Sequence, residues 1–309
     1  MNVKFPTVQD VVKKGTVAIP YTVMMKKIKS IFQFLSPKFQ TIHLDYKVTP
    51  TPRYGHGNPA HTKLFDLINN NRPMYKELLE SFLIHIEKIQ DIKNSEQETD
   101  ENQPVWNNGF LPGLDIVGIY GIIAKYKPSK YIEIGSGNST KIARKSTKEN
   151  NLNTEISSID PFPRANIDRL ADKVIRQPLE NLTDNKFIPE LLKENDILFI
   201  DNSHRVFPNS DAMICFLELL PFLNKGVIVH IHDVYLPYDY PQFMCDRFYN
   251  EQYMLAAFIL ANPEKYKTIL PNYFISEDTE LAKIISPMWN HSNLTNVEKH
   301  GGSFWLQIN

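Results

Sequence analysis

Cysteine is nearly absent from this chain: 309 residues hold two, Cys215 and Cys245. Two thiols cannot build a disulfide framework, so a reducing compartment is expected and a hydrophobic core must hold the fold. Excess charge is missing as well. Lys and Arg number 34 against 35 Asp and Glu, a net charge of −1, and the basic footprint of a nucleic-acid binder is not there. No run of about eighteen apolar residues occurs, so no membrane span is expected. The first residues lack the basic-then-apolar order of a secretory signal. Three Asn-x-Ser/Thr sequons, at Asn138, Asn181 and Asn293, are read as chance, because a glycan does not fit the tight turn that holds the first. A cytoplasmic location is the expectation. Hydrophobic content of 42% is ordinary for a globular protein.

Two glycine signatures are incomplete. A dinucleotide fingerprint needs a third glycine three residues after the second, and Thr140 stands there. A phosphate-binding loop ends in Gly-Lys-Ser/Thr, a tripeptide the chain does not contain. What is present is Tyr131-Ile-Glu-Ile-Gly-Ser-Gly-Asn-Ser-Thr140, an apolar strand running into a glycine turn. Gly135 and Gly137 carry no Cβ and let a ligand approach the backbone. Glu133, two residues earlier, repels a diphosphate but suits ribose hydroxyls and a cationic sulfur. The bland alternative is a turn that merely joins a strand to a helix.

Alternating strands and helices then predict a parallel α/β sheet. Strands are expected near 131–134, 156–160, 173–175, 196–201 and 226–231, and helices over 139–150, 164–171, 183–193 and 209–222. The tail offers two more strands, Tyr266–Leu270 and Ser303–Ile308. Upstream, helical spacing from His61 to Ile89, interrupted at Pro73, predicts two helices, and a helix over about Asp115–Lys125 leads into the first strand. Met24–Leu35 reads as a basic amphipathic helix. The polar run Gln90–Gln103 is the candidate linker. These readings divide the chain into a mainly helical extension, 1–104, and an α/β domain, 105–309.

In a doubly wound sheet, ligands sit at the carboxyl ends of the strands, where strand order reverses. The second strand ends at Asp160, a candidate for both ribose hydroxyls of an adenosine; simple turn chemistry before Pro161 is the alternative. The third leads to Leu179 and Glu180, weak candidates for adenine contacts. The fourth and fifth end in Asp201-Asn-Ser-His204 and His232-Asp233. Such a mouth could hold a divalent metal through Asp201, Asp233 and His232, or use His204 or His232 as a general base. His230 shares a strand face with His232 and is expected to pack inside. Tyr235, Tyr238 and Tyr240 are candidates to contact an acceptor or to pack a lid. Loops at His56 and Trp106–Asn108 are candidate caps over a cofactor.

Strand, Glu-x-Gly-x-Gly-x-Ser, Asp160, then Ile-Asp-x-x-His and His-Asp resemble class I S-adenosylmethionine-dependent methyltransferases. The likeness covers residues 105–309 and is greatest for the branch that includes sugar and macrolide O-methyltransferases. It implies a mostly parallel seven-stranded sheet whose last two strands close the edge antiparallel. It implies S-adenosylmethionine bound by Glu133, Gly135, Ser136, Gly137, Ser139, Asp160 and Asp201. Asp201 and Asp233 become ligands for magnesium and His204 the base, with His232 as a second catalytic candidate. The expected acceptor is a hydroxyl on a small molecule or carbohydrate. His232 departs from the pattern, standing where such enzymes often have a second carboxylate. A non-catalytic nucleoside-binding subunit is the main alternative. A nicotinamide dehydrogenase is another, since Tyr126 and Lys130 have a Tyr-x-x-x-Lys spacing.

Overall fold

The computed structural model describes residues 30–309. Two compact units divide the chain, Met1–Thr49 and Pro50–Asn309. In the first, residues 30–35 are helical; the remainder of the expected Met24–Leu35 helix lies outside the described residues. The division expected after residue 104 is not where the units part.

The second unit begins with three helices, α1 (Thr62–Asn69), α2 (Arg72–Leu83) and α3 (Ile86–Gln90). Pro73 stands in the first turn of α2, where its missing N–H costs nothing, so the break comes before it. Leu64, Ile68, Leu78, Leu79, Phe82 and Ile89 belong to the same buried core as the sheet. These helices are therefore part of that unit and not an extension. Gln90–Gln103 is no linker either. Ile92 is buried, Lys93 bridges to Val105, and Asn94, Glu98 and Asp100 accept backbone N–H bonds that build local turns. Helix α4 (Gly113–Tyr126) is apolar on every side and nearly all buried, as expected for a helix enclosed by protein. Gly121 allows α2 to approach it closely: a Cβ there would lie 2.2 Å from Phe82.

The sheet follows: β1 (Lys130–Ile134), β2 (Glu155–Ile159), β3 (Lys173–Ile175), β4 (Ile197–Ile200), β5 (Ile228–Ile231), β6 (Tyr266–Pro271) and β7 (Phe304–Ile308). Its order is β3-β2-β1-β4-β5-β7-β6. The first five strands run parallel and β7 lies antiparallel between β5 and β6. This is the doubly wound, seven-stranded α/β arrangement, with the reversal of order between β1 and β4. Its central strands read as near-continuous apolar runs because helices cover both faces.

Helix α5 (Asn138–Glu149) stands where expected. Others are shorter than the pattern predicts. Residues 164–171 form turns instead of a helix: Pro161 and Pro163 precede them and Arg164 N–H donates to Ser136 O at 3.3 Å, which pins the segment to the glycine turn. Only α6 (Phe187–Leu191) survives of 183–193. Residues 209–222 become α7 (Asp211–Ile214), a π-helical turn and a 3-10 turn at Pro221. Helices α8 (Gln242–Cys245), α9 (Glu251–Ala261), α10 (Asn272–Glu277) and α11 (Thr279–Ile284) complete the unit. Among the described residues no helix is long and apolar enough to cross a membrane. Both cysteines are free and buried.

Candidate active site

Strand register builds the site. Ile134 pairs with Ile159 on β2 and with Ile200 on β4, and Ile200 pairs with Ile231 on β5. The residues that follow these partners therefore share one row on the carboxyl edge: Asp160, Gly135, Asp201 and His232. Backbone hydrogen bonds continue the ladder past the strands, from Gly135 N–H to Ile159 O (3.0 Å), Asp201 N–H to Ile134 O (2.8 Å) and His232 N–H to Ile200 O (2.9 Å). Gly135 has φ +79°, and a Cβ on it would sit 1.9 Å from Asp201 O. Only glycine fits between the two strands at that point.

The glycine turn is held from both sides. On the open side Asp160, half-buried, accepts from Ser136 N–H (2.7 Å), Ser136 Oγ (3.2 Å) and Phe162 N–H (2.7 Å). Underneath, Glu133 is wholly buried. Its carboxylate accepts from Ser139 Oγ at 3.1 Å and from Thr140 Oγ1, and Thr140 Oγ1 in turn accepts from Gly137 N–H at 3.2 Å. Glu133 thus does not open on the cleft beside Asp160 as the ribose expectation requires. β-strand alternation turns it below the sheet edge, where it anchors the start of α5. Burial pushes its carboxyl up to about 8, against the Thr140 and Ser139 hydrogen bonds.

Beyond the turn, two imidazoles and two carboxylates form a closed ring. His204 Nε2 lies 3.4 Å from Asp201 Oδ1 and 3.5 Å from Asp233 Oδ2. His232 Nδ1 lies 3.7 Å from Asp201 Oδ1 and 3.6 Å from Asp233 Oδ1. These are ion-pair distances, too long for hydrogen bonds. Burial opposes charge on both imidazoles, yet the carboxylates prevail. Glu251, Asp201 and Asp233 hold His204 up to about 10, and Asp233, Asp201 and Asp115 hold His232 well above its usual range. Against the same burial, the imidazoles keep Asp201 well below the ordinary carboxylate value. His204 and Asp233 both adopt left-handed backbones, φ +60° and +54°, a strain that side chains other than glycine sustain only when their surroundings enforce it.

Two acids in this site were not found from the sequence. Asp115, in the first turn of α4, is fully buried; it accepts from Gly302 and Ser303 N–H and from Asn272 Nδ2 and faces His232 Nε2 at 3.6 Å. Glu251, at the start of α9, lies 2.6 Å from His204 Nδ1. Neither sits in a motif, and only tertiary packing brings them in. His230 is buried as expected, stacked on Phe199 at 3.8 Å, with burial lowering it to about 3.

Other candidates fall elsewhere. Trp106 is a core residue and Asn108 caps its own turn, so neither covers the cleft; Phe110 packs under the Arg164 guanidinium instead, and Arg164 reaches Asp201 Oδ2 at 3.4 Å. The His56 loop is tied to Asp239, through Arg53 N–H and the His56 ring, and lies by the segment after β5 instead of by the glycine turn. Tyr240 is wholly buried with its hydroxyl accepting from Gln252 N–H, a packing role. Tyr235 and Tyr238 meet Tyr273 edge-on at 4.6 and 5.8 Å. Leu179 is buried and Glu180 half-buried in a turn after β3. Tyr126 ends α4 and Lys130 opens β1, at the amino edge of the sheet, away from the cleft where a dehydrogenase pair must act.

Among the described residues, no group of three or more His, Cys, Asp or Glu side chains is arranged to hold a metal ion.

Residues 132–234 match the family model of a methyltransferase domain. A curated relative, an uncharacterized protein of Archaeoglobus fulgidus, is 34% identical over 97 residues, which is 29% of this chain and 43% of that protein. The chain thus spans less than half the length of that relative. Solved structures that resemble it include the S-adenosylhomocysteine-bound methyltransferase PaMTH1 of Podospora anserina, at 15% identity, covering 83% of this chain and 100% of that one, with a TM-score of 0.38. Another is the MycE methyltransferase of the mycinamycin pathway, in complex with Mg, S-adenosylhomocysteine and mycinamycin VI, at 13% identity, 60% and 47% coverage and a TM-score of 0.37. Likenesses this loose carry no argument about function.

Proposed function

We propose that the chain is an S-adenosylmethionine-dependent methyltransferase acting on a hydroxyl of a small molecule or carbohydrate. One observation carries the reading: the glycine turn, Asp160 and the Asp201–His204–Asp233–His232 ring share one carboxyl edge at the switch point. The match over 132–234 to a methyltransferase domain covers the same segment.

The residues suit the donor. Asp160 is a half-buried carboxylate that accepts three hydrogen bonds of about four it can take, and would accept from a ribose hydroxyl. Gly135, Ser136, Gly137 and Ser139 bring backbone close to the ligand at the start of α5, and Glu133 supports them from below. When bound, S-adenosylmethionine supplies an electrophilic sulfonium methyl. The protein's task is to align an acceptor oxygen with it and to remove the hydroxyl proton. His204, whose Nε2 lies between Asp201 and Asp233, is the proposed base. Asp201 and Asp233 stabilise the imidazolium it becomes, and His232, cationic among three carboxylates, steadies negative charge growing on the oxygen. Because those carboxylates keep His204 protonated at neutral pH, the base form gains population toward alkaline pH. Tyr235 and Tyr238 are the proposed acceptor wall.

Magnesium does not fit this donor set. Two of the side chains that converge here, His204 and His232, are imidazoles, which are poorer magnesium ligands than carboxylates. No step is assigned to a metal.

Calorimetry with S-adenosylhomocysteine and with NAD tests the donor; preference for NAD overturns the reading. Labelled-methyl incorporation into sugar nucleotides and glycans identifies the acceptor. With that acceptor, His204→Ala should reduce turnover far more than donor affinity, and unchanged turnover removes His204 as base.

A further inference from the structure

The three residues Tyr249, Asn250 and Glu251 all act on His204. Tyr249, itself buried, stacks on the imidazole with ring centroids 4.6 Å apart. Asn250 N–H donates to His204 O at 3.1 Å, while Asn250 Oδ1 accepts from Val206 N–H at 2.7 Å. Glu251, 1% exposed, brings Oε1 to 2.6 Å from His204 Nδ1. Ring face, backbone carbonyl and ring nitrogen are thus fixed by one short segment at the start of α9, 45–47 residues along the chain. The segment also explains how His204 keeps its left-handed backbone (φ +60°).

We infer that Glu251 is the positioning residue of His204. It accepts the Nδ1–H bond, fixes the tautomer, and leaves Nε2 pointed at the gap between Asp201 and Asp233. A histidine that must take a proton at one nitrogen works only if the other nitrogen's proton is held. Glu251 does this from within the core, so it touches neither donor nor acceptor. Its second oxygen, Oε2, is buried without a hydrogen-bond partner, and besides His204 the Asn202 side chain is the neighbour that favours the charged carboxylate by hydrogen bonding. The catalytic side of this inference rests on the methyl-transfer reading; the hydrogen bond itself does not.

The test uses the full chain carrying Glu251→Leu, which removes the acceptor, and Glu251→Gln, which keeps an acceptor but removes charge. Turnover should fall on the order of a hundredfold in the first and tenfold in the second, with S-adenosylhomocysteine affinity and donor KM unchanged within about twofold. Unchanged turnover in a folded Glu251→Leu protein overturns the inference; if that variant does not fold, unchanged turnover in Glu251→Gln does so. A proton NMR readout needs no activity. A charge-assisted Nδ1–H bond to carboxylate gives a far-downfield ring-proton signal, expected to vanish in His204→Ala and to vanish or move upfield in both Glu251 variants. A signal untouched by the Glu251 variants overturns the inference even where methyl transfer is established. Loss of the signal in a protein that transfers no methyl group leaves the positioning contact standing and removes only the proposed reaction.

Discussion

Glu133→Gln separates a carboxylate that serves the protein from one that grips a ligand. Glu133 is raised from 4.5 to about 8, above its value in the unfolded chain. Between those values the native state binds more protons than the unfolded state, so stability falls as pH rises from about 4.5 to about 8 and levels off above. At about 1.4 kcal/mol per pH unit the full loss is about 5 kcal/mol as an upper bound. Glutamine has nearly the same shape and no charge to bury. Its amide oxygen accepts from Thr140, whose Oγ1 is already committed to Gly137 N–H, and its NH2 donates to Ser139 Oγ, which rotates to accept. The variant should therefore lack the decline. With an unfolding entropy of roughly 2 cal/mol/K per residue, about 5 kcal/mol corresponds to about 8 °C for a chain of this size. Thermal melts followed by circular dichroism from pH 5 to 9 should show the Glu133→Gln Tm drawing ahead of wild type by up to that amount. S-adenosylhomocysteine affinity should change less than about threefold. Parallel melting curves would refute the buried, raised carboxyl; an affinity loss of tenfold or more would restore Glu133 as a direct ligand to ribose.

Methyl transfer should rise about tenfold per pH unit toward a plateau near pH 10, because only deprotonated His204 accepts a proton and its value is about 10; a flat profile between pH 7 and 9 removes it as base. Asp160→Ala, which leaves Ser136 N–H without its partner and removes the ribose acceptor, should weaken S-adenosylhomocysteine about 10- to 100-fold, the equivalent of about one charged hydrogen bond, as read by calorimetry. Gly135→Ala, with its Cβ at 1.9 Å from Asp201 O and φ +79°, should lower stability by 2 kcal/mol or more in denaturant titration; a smaller loss shows that β1 and β4 yield there. Chelation should leave activity within twofold and added magnesium should not raise it; a tenfold fall with EDTA, reversed by a divalent ion, refutes the ion-paired ring.

The fold was largely legible because its signals are local. Apolar runs ending in Gly135, Asp160, Asp201 and His232 mark strands and their carboxyl ends without reference to anything distant. Helices were overestimated where proline and tertiary pinning intervene, as at 164–171, where Arg164 N–H bonds to the glycine turn and the remaining backbone bonds close a local turn at Ile167. The N-terminal helices were found, but their membership in the sheet's core was not, since helical spacing says that a face is buried and not against what.

The site divides in the same way. Sequence by itself determined which groups stand at the strand ends, because period and turn chemistry fix where a strand stops. The direction each one faces was decided by the tertiary structure. Glu133 turns beneath the edge toward Ser139 and Thr140 because alternation along β1 leaves no other side. Asp201 and Asp233 meet imidazoles because β4 and β5 are adjacent. Asp115 and Glu251 enter from helices with no motif to announce them, since a buried charge is defined by the partners that surround it, and those come together only when the chain has folded.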